Sequence, residues 1–101
     1  MNINKTQDEN KTTFALSGRL NSITAPQLQE VLLAEFDTVT NVELDFGELD
    51  FISSAGLRVL ILGKEAAKAK NGQLTLIRVS EAIMEVFEMA GFTGMMNIKR
   101  G

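Results

Sequence analysis

The stretch Leu49–Arg58, which reads LDFISSAGLR, joins a predicted strand to a predicted helix through a turn of small residues. Before it, residues 42–46 alternate apolar and acidic side chains, which is the two-residue period of a strand with one buried face. After it, apolar residues recur at helical spacing. The two serines of the turn therefore stand where the helix begins, and the rest of the chain is arranged around that junction.

The serine pair has two interpretations. Either Ser53 or Ser54 can cap the helix by accepting a hydrogen bond from its first free backbone N–H groups. The other serine is then available for a phosphate, which the free N–H groups and the positive end of the helix dipole would tolerate. In most proteins, however, a serine pair before a helix is a cap and nothing more.

The composition excludes several classes of chemistry. The chain has 101 residues, 45% of them hydrophobic, which is enough for the core of one small domain spanning residues 1–101. It contains no cysteine and no histidine, so disulfides, thiolate or imidazole metal sites and imidazole-dependent triads are ruled out. We expect no catalytic residues, no metal and no cofactor.

Charge and hydropathy indicate a protein partner. The net charge is −3 without any basic run or aromatic platform, which argues against nucleic acid and against anionic membrane surfaces. Residues 1–10 lack the apolar segment of a signal peptide, and the apolar run Val59–Leu62 is far too short to cross a bilayer. We expect a cytoplasmic protein.

Strands and helices alternate along the predicted chain. Residues 1–19 read as a hairpin with a weak strand around Ile3, a turn at 9–11, and a strand at 13–16 that ends at Ser17-Gly18. Residues 24–27 have the spacing of a capping box, and the helix they begin runs to about Phe36. Its predicted buried stripe consists of Leu28, Val31, Leu32 and Phe36.

The second half repeats this alternation. The strand at 42–46 and the serine turn lead to a helix from about Ala55 to Lys70, which Asn71-Gly72 ends because glycine takes the left-handed conformation cheaply. A strand at 74–77, a helix capped by Ser80 and ended by Gly91, and a short strand at 95–98 follow.

These elements predict an α/β domain with a mixed, mostly parallel sheet of four to five strands. Alternating strands and helices require crossover connections, so the later strands are parallel, while the first hairpin adds an antiparallel edge. Glu43 and Asp45 interrupt what would otherwise be a continuous apolar strand, so we expect the helices mainly on one face of the sheet.

The helix after the serines has two different arcs. The arc expected to pack on the sheet consists of Val59, Leu62, Gly63, Ala66 and Ala67. Leu57 and Ile61 share the opposite arc with Arg58, which predicts apolar surface rimmed by charge beside the serines, as in a contact surface. The alternative is that Leu57, in the first turn, folds inward.

Three further features have competing interpretations. Asp45, Glu48 and Asp50 leave open a magnesium site or an acid/base pair. The segment 91–94 follows a helix instead of opening one, so we expect a turn and not a nucleotide cradle. The methionines near the C-terminus are expected to fill the core, with a binding patch as the other interpretation; they are Met84, Met89, Met95 and Met96.

The chain resembles STAS domains (sulfate transporter and anti-sigma factor antagonist), specifically the small stand-alone bacterial anti-sigma factor antagonists. The resemblance covers essentially the whole chain and rests on Ser17–Leu20 with Ala25 and Leu28, Val42–Phe46, Phe51–Leu57, and Val86-Phe87 with Gly91-Phe92. Relatives commonly carry Asp-Ser-Ser-Gly or Asp-Ser-Ala-Gly in the central motif, where the serine after the Asp is phosphorylated. By that alignment Ser53 stands at the Asp position and Ser54 is the acceptor, with Ser53 as the alternative. Asn21 stands where many relatives have an acidic residue beside this site.

The resemblance implies a partner-switching regulator and not an enzyme. Unphosphorylated, such a protein binds an anti-sigma factor that is also a serine kinase; phosphorylation releases that partner, and a PP2C-type phosphatase resets the switch. Together with the helix arc, it indicates partner-binding residues Asn21, Ser53, Ser54, Leu57, Arg58 and Ile61. Since Ser53 replaces the usual Asp, a non-phosphorylated STAS adaptor, for example a subunit of a lipid-transport ATPase complex, is the alternative. A small nucleotide-binding enzyme is the third class.

Overall fold

Five strands and three helices alternate in the computed structural model, which describes residues 1–100. The strands are β1 Asn2–Asp8, β2 Lys11–Leu20, β3 Asn41–Ile52, β4 Gln73–Val79 and β5 Asn97–Arg100. The helices are α1 Ala25–Glu35, α2 Ser54–Ala69 and α3 Glu81–Met89. Within the described residues, no helix has the length and apolar character needed to span a membrane.

The strands form one sheet in sequence order from β1 to β5. β1 pairs antiparallel with β2, and the other three pairings are parallel, which confirms the predicted mixed sheet. Each of the three crossovers advances by one strand in the same direction. Because such crossovers are right-handed, α1, α2 and α3 lie on the same face of the sheet, as predicted.

The side chains of residues 42–46 in β3 alternate between the two faces of the sheet. Their apolar members are at most 1% exposed beneath the helices, whereas Glu43 and Asp45 lie on the open face and are partly exposed. There Glu43 Oε1 is 3.4 Å from Lys11 Nζ, and Asp45 Oδ1 is 2.8 Å from Arg78 Nε. Each carboxylate is therefore paired with a basic side chain on the face that no helix covers.

β2 and β3 are longer than the sequence predicts. Ser17 and Gly18 do not end β2, because pairing with β3 continues past them to Leu20, which lies opposite Ile52. The register of this pairing shifts twice before Leu20. Gly18 stands at the second shift and adopts a left-handed φ of 103°, which glycine allows. This added pairing brings the ends of both strands together beside the start of α2.

The buried face of α2 is rotated from the predicted arc. Its buried residues are Gly56, Val59, Leu60, Gly63 and Ala67. Leu60 is fully buried although it lies outside the predicted arc, whereas Leu62 and Ala66, which the arc includes, are only half-buried. The rotation follows from close packing at the glycines, since a Cβ on Gly63 would lie 2.6 Å from Leu32 Cδ2 of α1.

Two helix ends differ from their predicted capping. Thr24 is the N-cap of α1, but its hydroxyl makes no cap hydrogen bond, so the predicted capping box does not form. After α2 it is Asn71, with a φ of 56°, that is left-handed, and not Gly72. Glycine is still required at position 72, because a Cβ there would overlap the carbonyl oxygen of Thr40.

The end of α3 follows the prediction. Gly91 is left-handed with a φ of 68°, its N–H donates to Glu88 and the N–H of Phe92 donates to the carbonyl of Phe87 at 2.8 Å. The rings of Phe87 and Phe92 pack with centroids 5.1 Å apart, so residues 91–94 are a turn anchored in the core.

The C-terminal methionines divide into two pairs. Met84 and Met96 are buried, which confirms core filling for them, whereas Met89 is 90% exposed and Met95 42% exposed. The prediction that all four fill the core is therefore wrong, because α3 and the turn after it present two of these side chains outward.

A buried carboxylate ends α1. Glu35 is 7% exposed; its Oε2 accepts a hydrogen bond from Thr12 Oγ1, and its Oε1 is 3.0 Å from Lys5 Nζ. Burial raises the pKa of Glu35, but the Thr12 hydroxyl and the Lys5 ammonium outweigh it and hold the pKa below its ordinary value of 4.5. The network ties α1 to β1 and β2.

Candidate functional site

The turn before α2 holds a serine whose hydroxyl is buried. Ser53 occupies the N-cap position in an extended conformation, with φ −104° and ψ 176°, but its side chain makes no cap hydrogen bond. Its Oγ is buried and has no hydrogen-bond partner among residues 1–100. In contrast, Ser80 Oγ caps α3 by accepting from the N–H of Ile83 at 3.2 Å. The capping bond predicted for one of the two serines is therefore wrong: the buried Ser53 hydroxyl bonds to no first-turn N–H group, and Ser54 already lies inside the helix.

Ser54 is the first residue of α2, and it is exposed. The first hydrogen bond of this helix runs from the N–H of Leu57 to the carbonyl of Ser53 at 3.0 Å. No side-chain cap satisfies the first-turn N–H groups. These free donors and the positive end of the helix dipole make the position of Ser54 favourable for a negative group.

The loop between β2 and α1 lies beside this turn and is held by its own hydrogen bonds. Asn21 Oδ1 accepts from the N–H groups of Ile23 and Thr24 at 2.9 and 3.1 Å. Thr24 Oγ1 accepts from the N–H of Asn21 at 2.9 Å and donates to the carbonyl of Arg19 at 2.8 Å. The side-chain oxygen of Asn21, predicted to contact a partner, is thus used inside the loop.

The same loop displays an apolar residue that sequence reasoning missed. Ile23 is 85% exposed, on a segment whose backbone the Asn21 and Thr24 side chains fix. An exposed isoleucine on a rigid loop is ready for contact without a large loss of conformational entropy. Its one sequence signal is an apolar residue between polar neighbours in a loop.

Backbone and packing contacts join this loop to α2. The N–H of Ser53 donates to the carbonyl of Leu20 at 2.9 Å. Gly56 allows the approach, since a Cβ there would lie 2.7 Å from Leu20 Cγ and 2.8 Å from Ile52 Cγ1. The glycine of the central motif is therefore required by packing.

An exposed cation–π pair lies on the adjoining strand ends. Arg19 and Phe51 are opposite each other in the β2–β3 pairing, and the guanidinium carbon is 4.2 Å from the ring centroid. Phe51 remains 38% exposed. The pair adds a flat, partly apolar surface near the serine turn.

The outward arc of α2 is mixed, as the sequence indicates. Arg58 is exposed, whereas Leu57 and Ile61 are half-buried and pack partly against the core. The sequence left open whether Leu57 is an exposed contact residue or folds into the core. Each alternative holds in part, since its side chain is half-buried.

Asp45, Glu48 and Asp50, which the sequence suggested as a possible magnesium site, do not form one. Asp45 accepts from Arg78 and from the N–H of Gly47 at 2.9 Å. Burial raises the pKa of Asp45, but the Arg78 guanidinium and the Gly47 N–H outweigh it and hold the pKa below 3.8. Across residues 1–100, no three acidic, histidine or cysteine side chains gather to hold a metal ion.

Residues 3–97 match the family model described as "Mlab, STAS domain". The chain belongs to the STAS domain family. Among curated proteins, this STAS domain is 44% identical over 78 residues to a protein of Bordetella bronchiseptica named "Putative anti-sigma factor antagonist BtrV". That match covers 76% of this chain and 67% of BtrV.

Solved structures show the same STAS fold. A Thermotoga maritima protein described as "a putative anti-sigma factor antagonist" superimposes with a TM-score of 0.90 at 15% identity, covering 98% of this chain and 86% of that one. The Bacillus cell fate determinant SpoIIAA in its phosphorylated form superimposes with a TM-score of 0.76 at 19% identity, covering 96% and 90%. The predicted STAS-like fold is confirmed.

Proposed function

We propose that this STAS domain is an anti-sigma factor antagonist that binds an anti-sigma factor through the surface around Ser54 and releases it when Ser54 is phosphorylated. Two comparisons support the proposal: a 44% identical relative bears the name "Putative anti-sigma factor antagonist BtrV", and a protein of the same fold is known in a phosphorylated form. The protein itself needs no catalytic group for this role.

The two serines differ in exposure, and this difference decides which one is proposed to accept the phosphate. Ser54 is exposed at the first position of α2, whereas the Oγ of Ser53 is buried. A kinase must bring the acceptor hydroxyl within bonding distance of a nucleotide phosphate, so only an exposed serine is a substrate without local unfolding. Ser54 is therefore the acceptor in this proposal, and Ser53 is the alternative.

The effect of a phosphate follows from charge and desolvation. Phosphorylation adds about −1.5 to −2 charges, which the first turn of α2 tolerates because its N–H groups are free. A partner that covers Ser54 would have to desolvate that charge. The exposed Glu48 and Asp50 precede the turn and would make the phosphorylated surface more acidic.

The binding surface in this proposal extends beyond the serine. It includes Leu57, Arg58 and Ile61 on α2, with Ile23 as an apolar anchor on the neighbouring loop. Asn21 takes part by holding that loop. The partner is an anti-sigma factor that is also a serine kinase, and a PP2C-type phosphatase removes the phosphate.

Intact mass spectrometry of the protein from its native cell, before and after phosphatase treatment, tests the proposal. One phosphate, lost on treatment and mapped to Ser54 by fragmentation, is expected. A phosphate on Ser53 would support the alternative acceptor. Protein that never carries phosphate, under conditions that activate and silence the sigma factor, would favour the non-phosphorylated STAS adaptor.

A further inference from the structure

A groove at the C-terminal half of α2 lies far from the serine turn. It has a volume of about 260 Å³ and is lined mainly by Lys64, Lys68, Gly72, Leu74, Met95 and Met96. Lys68 follows Ser54 by fourteen steps along the helix, which is about 21 Å. Ser54 follows the carboxyl end of β3, whereas the groove lies where β4 and β5 begin. The two surfaces are therefore at opposite ends of the parallel strands.

The groove combines an apolar floor with an unneutralised basic rim. Leu74 and Met96 are 4% and 8% exposed and form its floor, while Met95 is 42% exposed at its side. Ion pairs within residues 1–100 join Lys5, Lys11 and Arg78 to carboxylates, and none includes the rim lysines at 64 and 68.

The two rim lysines bring like charges close together. Lys64 and Lys68 are four residues apart on one helix, where like charges repel. The negative end of the helix dipole stabilises Lys68 in the last turn, but Lys64 lies outside that turn and gains little. A ligand that brings negative charge to the rim would remove the repulsion.

We propose that this groove is a docking site for an acidic, apolar segment of a partner protein, which inserts one large apolar side chain between flanking carboxylates. Charge complementarity selects the carboxylates, and the flexible methionines adapt to the inserted side chain. The cavity is smaller than the roughly 300–1,000 Å³ that encloses a whole small molecule. The site does not depend on the role of Ser54, and it would hold a partner whether or not the serine turn is covered.

The probe for this site is an acetylated and amidated hexapeptide in which leucine and phenylalanine stand between two pairs of glutamates. The protein carries methyl-labelled methionine, so that each methionine reports separately by NMR. We expect saturable shifts of the Met95 and Met96 methyl signals, with the exposed Met89 on α3 unchanged as an internal control. Affinity should weaken as salt is raised.

Two control peptides and two variants decide the outcome. The peptide with glutamines in place of glutamates, and the peptide with alanines in place of leucine and phenylalanine, should each bind at least about tenfold more weakly. The double variant Lys64→Gln, Lys68→Gln should lose the same tenfold, whereas Lys70→Gln, just beyond the helix, should bind like the wild type. Thermal unfolding of the variants verifies that they are folded.

Three results would overturn the proposal. The first is unchanged Met95 and Met96 signals at saturating peptide, and the second is equal binding of the glutamine peptide. The third is a response of the two methyl signals to anionic lipid vesicles but not to the peptide, which would make the groove a lipid site. None of these results depends on phosphorylation, so failure here and failure of the proposed switch are distinguishable.

Discussion

The backbone N–H of Ser53 donates a hydrogen bond to the carbonyl oxygen of Leu20 at 2.9 Å. This bond connects the end of β2 to the start of α2, so the loop that presents Ile23 and the turn that presents Ser54 are neighbours. A change on either side of the bond should therefore affect the same binding event.

Ser54→Asp should release the anti-sigma partner and leave the fold intact, because an acidic side chain is tolerated at the first position of a helix. Ser54→Ala should bind the partner but resist the kinase. The measurements are affinity by calorimetry, phosphate incorporation from ATP, and melting temperature. Thr93→Asp, an exposed site after α3, is the charge-matched control and should bind normally. Phosphorylation of Ser54→Ala to the wild-type level would refute the acceptor assignment.

Ile23→Ser should weaken partner binding by at least about tenfold, as expected for an apolar anchor at an interface. Since Ile23 is 85% exposed, unfolding free energy should change by less than about 0.5 kcal/mol. Met89→Ser, at a residue with 90% exposure on α3, should alter neither quantity. Equal affinity of the two variants would remove Ile23 from the interface.

Asn21→Ala should destabilise the protein by about 0.5–2 kcal/mol, because two backbone N–H groups lose the Oδ1 acceptor. Asn21→Asp keeps an oxygen in that place and should restore most of the stability. Urea unfolding measures both variants. If Asn21→Ala and Asn21→Asp had the same unfolding free energy, the loop would not depend on an oxygen acceptor at this position.

Gly56→Ala should cost about 1–3 kcal/mol of unfolding free energy, since the added Cβ overlaps Leu20 and Ile52. Gly94→Ala is the matched control, because no atom lies within 4 Å of a Cβ built there. Urea unfolding of the two variants should therefore differ clearly. If Gly56→Ala were as stable as Gly94→Ala, α2 could move away from β2 without any loss of unfolding free energy.

Glu35→Gln should destabilise the protein by about 1–3 kcal/mol near neutral pH, because the Lys5 contact loses its charge. The folded-state pKa of Glu35 lies below 4.5, so the stability contributed by its charge is complete above that pH. It is lost as the pH falls through the folded-state pKa. The difference between wild type and variant should therefore narrow in acid, as measured by urea unfolding at several pH values. Glu30→Gln, exposed on the same helix, should show no such change, and a difference that stays constant into acid would contradict the assignment.

The sequence by itself determined the order of elements, the mixed parallel sheet and the position of the serine turn. These follow from local periods: alternation at 42–46, apolar steps of three and four residues in the helices, and turn residues between them. The open face of the sheet was also predictable, because Asp45 in β3 interrupts what would otherwise be a continuous apolar run. Such signals lie within a few residues of the feature they specify.

Tertiary structure decided the features that depend on residues distant in sequence. Leu60 and not Leu62 faces the core because Gly56 and Gly63 let α2 approach β2, β3 and α1 most closely. Glycine at position 72 is required by a carbonyl thirty-two positions earlier, on Thr40. The buried hydroxyl of Ser53 likewise lies where the added β2–β3 pairing brings the two strand ends together. A local pattern sets the period of an element, but the contacts made across the fold set its rotation and its exposed side chains.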